Sequence, residues 1–374
     1  MKLARLCGVV LFAVTACGVP AGRFAAPVPV AVTSPPAVKS FTVVAAGDLL
    51  VHEGLTAQAA ADARAAGRAG HDFGQVLAGI APVIRAADLA VCHLEQPLAK
   101  PEGPFTGYPI FSAPPGLAAG AAEAGFDACS TASNHSLDTG ADGIDRTLAA
   151  LDRQGISHAG TARTAEEAQR IPMTSAQGVP VAHLSYTFSF NGIPLPEGRP
   201  WAANPIDPGR ILADARRAKA AGAEVVLVSM HWGTEYQSEA DPGQTGLAAT
   251  LLASPDVDLI IGHHVHVVQP MARIGGKWVA YGLSNLTARF PDGSPEQTQD
   301  ALAARFTFSR TGTGWAVTRA EAIPTFMEYY PAARVVNLGE AIAGPAAPAQ
   351  YRRAHARIAR VLTSLGAPVE IRTA

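Results

Sequence analysis

Six short clusters of polar residues stand out because each closes an apolar run. They are Asp48 with His52, His93-Leu94-Glu95, Asn134-His135 with Asp138, His231-Trp232-Gly233 with Glu235, His263-His264-Val265-His266, and Ser284-Asn285. Five of the eleven histidines (His52, His135, His231, His264 and His266) fall in these clusters as candidate ligands or acids. Imidazole, carboxylate and amide oxygen together suit borderline or hard divalent metals such as Zn²⁺, Mn²⁺ or Fe²⁺. His264 and His266 are two apart, so in an extended segment both rings lie on one side and can approach the same pair of metals. A carboxylate shared between two metals about 3.5–4 Å apart is the arrangement that activates water against a phosphoester. An uncoordinated imidazole beside it would protonate the leaving oxygen. An Asn followed by a His offers both parts, one neutral oxygen ligand and one free ring.

These clusters need a scaffold that brings chain segments far apart in sequence to one place. Residues 41–46, 88–93, 126–131, 179–186, 223–230, 257–261 and 277–281 read as short strands. Helical spacing recurs over 73–87, with Pro82 as a kink, and over 114–125, 144–154, 210–221 and 245–253. Alternation of this kind predicts an α/β fold with a largely parallel sheet. In open α/β sheets the carboxyl ends of the strands line one crevice, and there the clusters would converge. Residues 305–310 and 315–321 predict a closing hairpin. Residues 350–365 predict a helix carrying Arg352, Arg353, Arg357 and Arg360 on a solvated basic face. Cys92 and Cys129 lie in two of the strands and are expected as separately buried thiols. His93 is expected as a strand residue, and His263 points away from His264, behind the ligands. The Pro/Gly-rich stretch 191–201 is expected as a loop lying over the crevice.

The chain has 374 residues, of which 48% are hydrophobic and 16% charged, ample for a large core. Its formal charge of −2 leaves no basic excess to neutralise a phosphate backbone, which excludes nucleic-acid binding as the main task. At the start, Lys2 and Arg5 precede an apolar run over 6–14 that is too short for a permanent membrane span. The sequence Val14-Thr15-Ala16-Cys17 resembles the lipobox of bacterial lipoproteins, in which Cys17 is lipidated and becomes the mature N-terminus. Residues 1–16 are thus expected as a lipoprotein signal peptide and 17–39 as a Pro/Ala-rich linker. The folded part is expected outside the cytoplasm, anchored to the cell membrane by its lipid.

Taken in order, Gly47-Asp48 with His52, Leu94-Glu95, Ser133-Asn134-His135-Ser136-Leu137-Asp138-Thr139-Gly140, His231-Trp232-Gly233-Thr234-Glu235-Tyr236, Gly262-His263-His264-Val265-His266 and Tyr281-Gly-Leu-Ser-Asn285 resemble the CapA family. This is the poly-γ-glutamate capsule synthesis family, a branch of the calcineurin-like metallophosphoesterases. The resemblance runs over about 42–286 and implies a four-layer α/β/β/α sandwich at 40–325, followed by a short C-terminal extension at 326–374. It also implies two divalent metal ions, of Mn, Zn or Fe type. By position, Asp48 and His266 would hold one metal, with His52 beside them. Glu95 would bridge, and Asn134, His231 and His264 would hold the second metal. His135 would be the general acid, oriented by Asp138, and Trp232, Glu235 and Asn285 would line the pocket. The chain departs from the usual pattern at four points: His52 follows Asp48 by four residues instead of two, Glu95 replaces an Asp, Val265 replaces a Pro, and the closing motif reads Gly-Leu-Ser-Asn. None of these removes a donor atom.

The implied function is that of a lipoprotein in the synthesis, export or anchoring of a poly-γ-glutamate capsule, with a dimetal hydrolase site. Its expected partners are the membrane, the anionic polymer and other capsule-synthesis proteins. The alternatives are a phosphoesterase acting on an unrelated envelope substrate and a polymer-binding assembly protein without turnover.

Overall fold

In the computed structural model, which describes residue 13 and residues 39–373 other than 313, the alternating runs become strands ending at one crevice. The signal peptide apart from residue 13, the lipidation site at Cys17 and all of the linker but Lys39 lie outside the described residues. Val38–Ala374 form one compact unit. In chain order its strands are β1 (Ser40–Leu49), β2 (Leu89–Leu94), β3 (Ala128–Ser130), β4 (Ser157–Ala159), β5 (Met173–Ala176), β6 (Val179–Thr187), β7 (Val225–His231), β8 (Leu259–His263), β9 (Met271–Ile274) and β10 (Lys277–Ala280). They continue as β11 (Asn285–Thr287), β12 (Asp300–Thr311), β13 (Gly314–Glu328), β14 (Arg334–Asn337) and β15 (Glu370–Ile371). The helices are α1 (Glu53–Ala65), α2 (Gly74–Leu77), α3 (Ala81–Arg85), α4 (Gly116–Ala124), α5 (Gly140–Arg153), α6 (Ala165–Gln169), α7 (Pro208–Ala220), α8 (Pro242–Leu252), α9 (Leu338–Ile342) and α10 (Ala349–Leu362).

Two sheets result. The first runs β14-β13-β12-β1-β2-β3-β4, with β11 beside β1 and β15 beside β13; the second runs β5-β6-β7-β8-β10-β9. Within the first sheet β1 to β4 are parallel to one another, and within the second so are β6, β7, β8 and β10; helices make the crossovers except between β8 and β10, where β9 intervenes.

Alternation along β1 explains the layers. Val43 and Ala45 face the second sheet and pack with Val181, Leu227 and Leu259. Val44 and Ala46 face the other way, onto Leu55 of α1, Val76 of α2, Ile84 of α3, Leu117 of α4 and Leu148 of α5. The outer face of the second sheet buries Val226, Val228 and Ile260 under Ile211 and Ala215 of α7 and Leu251 of α8. The order is therefore helix, sheet, sheet, helix. Both faces of each central strand are dry, which is why the strands read as nearly continuous apolar runs.

Helix starts follow local chemistry. α7 and α8 each place Pro in the first turn behind an Asp cap, and Asp241 and Gln244 close a reciprocal capping box on α8. The run at 73–87 is two short helices instead of one kinked helix. The backbone turns at Gly79, where a side chain would meet the Val335 carbonyl oxygen at 2.2 Å, and Pro82 sits in the first turn of α3.

The structure corrects two further expectations. Cys92 and Cys129 are directly opposite each other on the paired strands β2 and β3, with Cα atoms 4.5 Å apart, and are joined as a disulfide. Two buried thiols facing each other across a ladder are too close to be independent. The 326–374 segment is not an appendage. The 325/326 boundary falls inside β13, and Leu338, Tyr351, Ala354, Ile358 and Leu362 of α9 and α10 cover the part of the first sheet that the second leaves bare. Among the described residues no helix is long and apolar enough to cross a membrane.

Candidate metal centre

The carboxyl ends of β1, β2 and β3 meet those of β7 and β8 across the gap between the sheets. Register sets the first contacts. Asp48 lies beside both His93 on β2 and Asn285 on β11, and His231 lies beside His263. Gly47 makes this approach feasible, because a Cβ there would stand 2.3 Å from the Ser284 carbonyl oxygen and 2.9 Å from two more backbone atoms.

Asp48 is fully buried. His263 Nδ1 reaches its Oδ1 at 2.6 Å, and the His264 backbone N–H donates to its Oδ2 at 2.9 Å. His266 Nδ1 is 2.9 Å from Asn285 Oδ1, so the ring donates there and leaves Nε2 bare, 4.0 Å from Glu95 Oε1. Asp48, Glu95 and His266 offer ligand atoms all within 4.8 Å of one another. His231 Nε2 is 2.9 Å from Asn134 Oδ1, and its ring centroid is 4.7 Å from that of His264. His264 and His266 form another such group with Glu235, whose Oε1 is 4.0 Å from His264 Nε2. His135 Nδ1 is 2.7 Å from Asp138 Oδ2, which also accepts the Phe111 N–H at 2.7 Å. This pairing leaves His135 Nε2 free.

Other expected residues fall elsewhere. His52 precedes α1 and packs against Phe111 and Phe290, with ring centroids 5.3 and 5.0 Å away, outside the three-ligand groups. Trp232 is not a pocket residue. It lies in the core of the second sheet's outer layer and donates Nε1–H to the Tyr281 carbonyl, because the residue after a strand-end ligand points to the opposite face. Asn285 acts from behind, through His266 Nδ1. Within 191–201, Asn191 touches the site, its Oδ1 accepting from Asn134 Nδ2 at 3.3 Å.

Sequence reasoning missed His93. It is fully buried, its Nε2 is 3.0 Å from His231 Nδ1, its Nδ1 is 2.8 Å from Ser130 Oγ, and its ring stacks on His263 at 4.2 Å. It forms a three-ligand group with Asp48 and His231. The signal was its two-residue spacing from Glu95 on β2, which puts both on one face.

Electrostatics here are those of a site built for cations. Burial raises the Glu95 carboxyl well above the usual range, and nearby Asp48, Glu235 and Asp138 raise it further. Burial also raises Asp48, against the lowering effect of His93 and the His264 N–H. Burial holds His93 and His231 well below the ordinary imidazole value and brings His263 and His264 down to about 3. His266 is lowered as well, and burial brings His52 to about 4. Neutral imidazoles are already in the state that binds metal. Both oxygens of Glu95 are buried without a hydrogen-bond partner, as is His264 Nδ1. Orphaned carboxylate oxygens among neutral rings fit divalent metal, which would supply the missing counter-charge.

Backbone strain concentrates at the same place. Of six non-glycine residues with left-handed backbone among the described residues, Asn191, Tyr236, His264, His266 and Ser284 all border this crevice. Such conformations cost about 1 kcal/mol or more each and persist where the surroundings fix them.

Residues 42–289, about two thirds of the chain, match the model of the family described as bacterial capsule synthesis protein PGA_cap. Among curated relatives, the PGA biosynthesis protein CapA of Bacillus subtilis (strain 168) is 29% identical over 191 residues, covering 50% of this chain and 49% of that protein. The capsule biosynthesis protein CapA of Bacillus anthracis is 28% identical over 194 residues, covering 51% and 46%. The chain thus spans about half the length of the curated relatives it matches. Among solved structures, a 5'-nucleotidase precursor from Thermus thermophilus is 13% identical with a TM-score of 0.48, covering 86% of this chain and 58% of that one. The calcineurin-like phosphoesterase YfkN from Bacillus subtilis is 15% identical with a TM-score of 0.46, covering 86% and 97%.

Proposed function

As the chain belongs to the bacterial capsule synthesis protein PGA_cap family, we propose that it is a metal-dependent hydrolase serving the synthesis, export or anchoring of a poly-γ-glutamate capsule. The observation that carries the hydrolase reading is Glu95, whose two buried, unpartnered oxygens lie among Asp48, His266 and the neighbouring neutral imidazoles. In this reading Asp48, Glu95 and His266 hold one divalent ion, and Glu95, Asn134, His231 and His264 a second. The bound ions supply Lewis-acid polarisation of the ester under attack. The chain's own residues do the rest. Asp138 accepts from His135 Nδ1 and fixes the ring, so that Nε2 hands a proton to the leaving oxygen. Asn285 fixes the tautomer and tilt of His266, and Asp48 orients the His263-His264 turn through two hydrogen bonds. The dry walls around Glu95 strengthen every charge interaction there.

The role in a capsule pathway is supported by the two Bacillus relatives, which are named for PGA and capsule biosynthesis. The location is supported by residues 1–17: we propose export and anchoring through lipid on Cys17, with capsule polymer and other capsule-synthesis proteins as partners.

The test uses the compact unit Val38–Ala374. Metal content is measured by mass spectrometry, and hydrolysis of an aryl phosphodiester and an aryl phosphomonoester is followed with Mn²⁺ or Zn²⁺. About two ions per chain are expected, with turnover lost in both His135→Ala and His264→Ala. Metal bound without turnover on either ester would leave a polymer-binding assembly role. No metal bound would end the reading.

A further inference from the structure

Beside the metal-capable groups lies an open cleft of about 750 Å³, within the range of ligand sites. Its walls include Glu53, Tyr108, Tyr236, Arg289, Phe290 and Asp292. It is continuous with the centre, because the Tyr236 and Phe290 rings stand 5.9 and 5.7 Å from that of His266. Phe188 also borders the centre, its ring 4.6 Å from that of His264.

Two features of this cleft call for a ligand. The first is aromatic exposure. Of the seven large apolar side chains standing exposed among the described residues, Tyr108, Phe188, Tyr236 and Tyr330 all border the centre or this cleft. Tyr236 is held there in left-handed backbone (φ 63°), with its N–H bonded to the Val265 carbonyl at 2.8 Å. The second is charge. Glu53 and Asp292 line the cleft and Glu235 stands beside His264 at its inner end, while the lining holds one cation, Arg289, whose guanidinium lies over the rings of Tyr329 and Tyr330 and donates to the Tyr330 hydroxyl at 3.0 Å. A linear polyanion has no basic track to follow here.

Flat aromatic faces flanked by carboxylates suit a neutral ring rimmed with hydroxyls, whose C–H face packs on the aromatic and whose O–H groups donate to the acids. We propose that this cleft is a saccharide subsite, seating a sugar ring of the molecule whose ester reaches the metal centre. The inference rests on the proposed hydrolase site for the identity of the reacting end. The sugar contact itself does not need metal.

The experiment is saturation-transfer NMR on the metal-free Val38–Ala374 unit, with chitotriose, maltotriose and a γ-linked glutamate oligomer as probes. Transfer to the ring protons of at least one trisaccharide is expected. It should fall about fivefold or more in Tyr236→Ala and in Phe290→Ala, and stay in Tyr236→Phe, since a ring face is worth about 1 kcal/mol. Thermal melts of each variant separate lost binding from lost folding. No transfer to either trisaccharide, or transfer to the glutamate oligomer alone, overturns the subsite. Because the readout is metal-free binding, it is independent of whether the metal and turnover assays succeed.

Discussion

Replacing Gly47 with Ala tests whether the centre depends on the close approach of β1 to the segment entering β11. A methyl group there would lie 2.3 Å from the Ser284 oxygen and 2.9 Å from both the Leu283 oxygen and the Leu286 nitrogen. Ordinary contact begins at 3.4 Å, so the strands must part by about 1 Å. All three obstacles are backbone atoms, and no rotamer change relieves them. The displacement pulls on the 2.8 Å bond from the Asp48 N–H to the Ser284 carbonyl and on the Asp48–Asn285 pairing. Overpacking plus a weakened buried hydrogen bond costs about 2–4 kcal/mol, or roughly 3–6 °C in Tm for a unit of this size. The same movement shifts Asp48 and, through Asn285, His266, so Mn²⁺ affinity should drop about 10-fold or more. Gly79→Ala is the control. Its methyl group meets the Val335 oxygen at 2.2 Å, a comparable clash with no candidate ligand nearby. The assay is differential scanning fluorimetry with an Mn²⁺ titration on wild type and both variants. Both should melt early, and only Gly47→Ala should lose metal affinity. Equal Mn²⁺ affinity in the two variants, or a wild-type melting point for Gly47→Ala, would refute the reasoning.

Three further outcomes follow from the geometry. His135→Ala should lower kcat on a phosphodiester by about 10²–10⁴ with metal content unchanged, and Asp138→Asn should lower it less, read by steady-state kinetics beside metal analysis. Breaking the Cys92–Cys129 link, which closes 37 residues, should cost about 4 kcal/mol on a chain-entropy account; urea melts of the Cys92→Ser/Cys129→Ser double variant measure it. Burial brings His183 to about 3, so the folded state refuses a proton that the unfolded chain takes up from pH 6.5 downward, and stability falls as pH drops through that window. Between pH 7 and pH 5 this single ring accounts for about 2 kcal/mol. The loss of unfolding free energy between pH 7 and pH 5 should shrink by about that amount in His183→Asn, and an unchanged loss would count against a buried neutral ring.

Much of this fold could be read from the chain because its central strands are buried on both faces and α7 and α8 carry plain Asp-Pro caps. The runs around 41–46, 179–186 and 223–230 fall within a few residues of β1, β6 and β7. What escaped was decided by pairing in three dimensions. The short strands β9, β11 and β14 contain three or four residues each, too few for periodicity to register. His93 reads as a core residue until β7 brings His231 to within 3.0 Å. His52 shares a cluster with Asp48 in sequence, but the chain turns into α1 directly after it and its ring ends among phenylalanines. The disulfide depended on register alone, since a one-residue slip between β2 and β3 would turn one sulfur to the opposite face.

The residues gathered at the crevice run from Asp48 to Asn285, and no half of the chain holds a complete set. The centre is therefore among the last things to exist as the polypeptide is delivered, since Asn285 must arrive before His266 is held in place. For a chain threaded unfolded across a membrane, as the proposed export would have it, the cytoplasm never meets a finished centre. Which ion it acquires is then decided by the metal supply of the compartment where folding ends, and selectivity need not be written into the ligands at all.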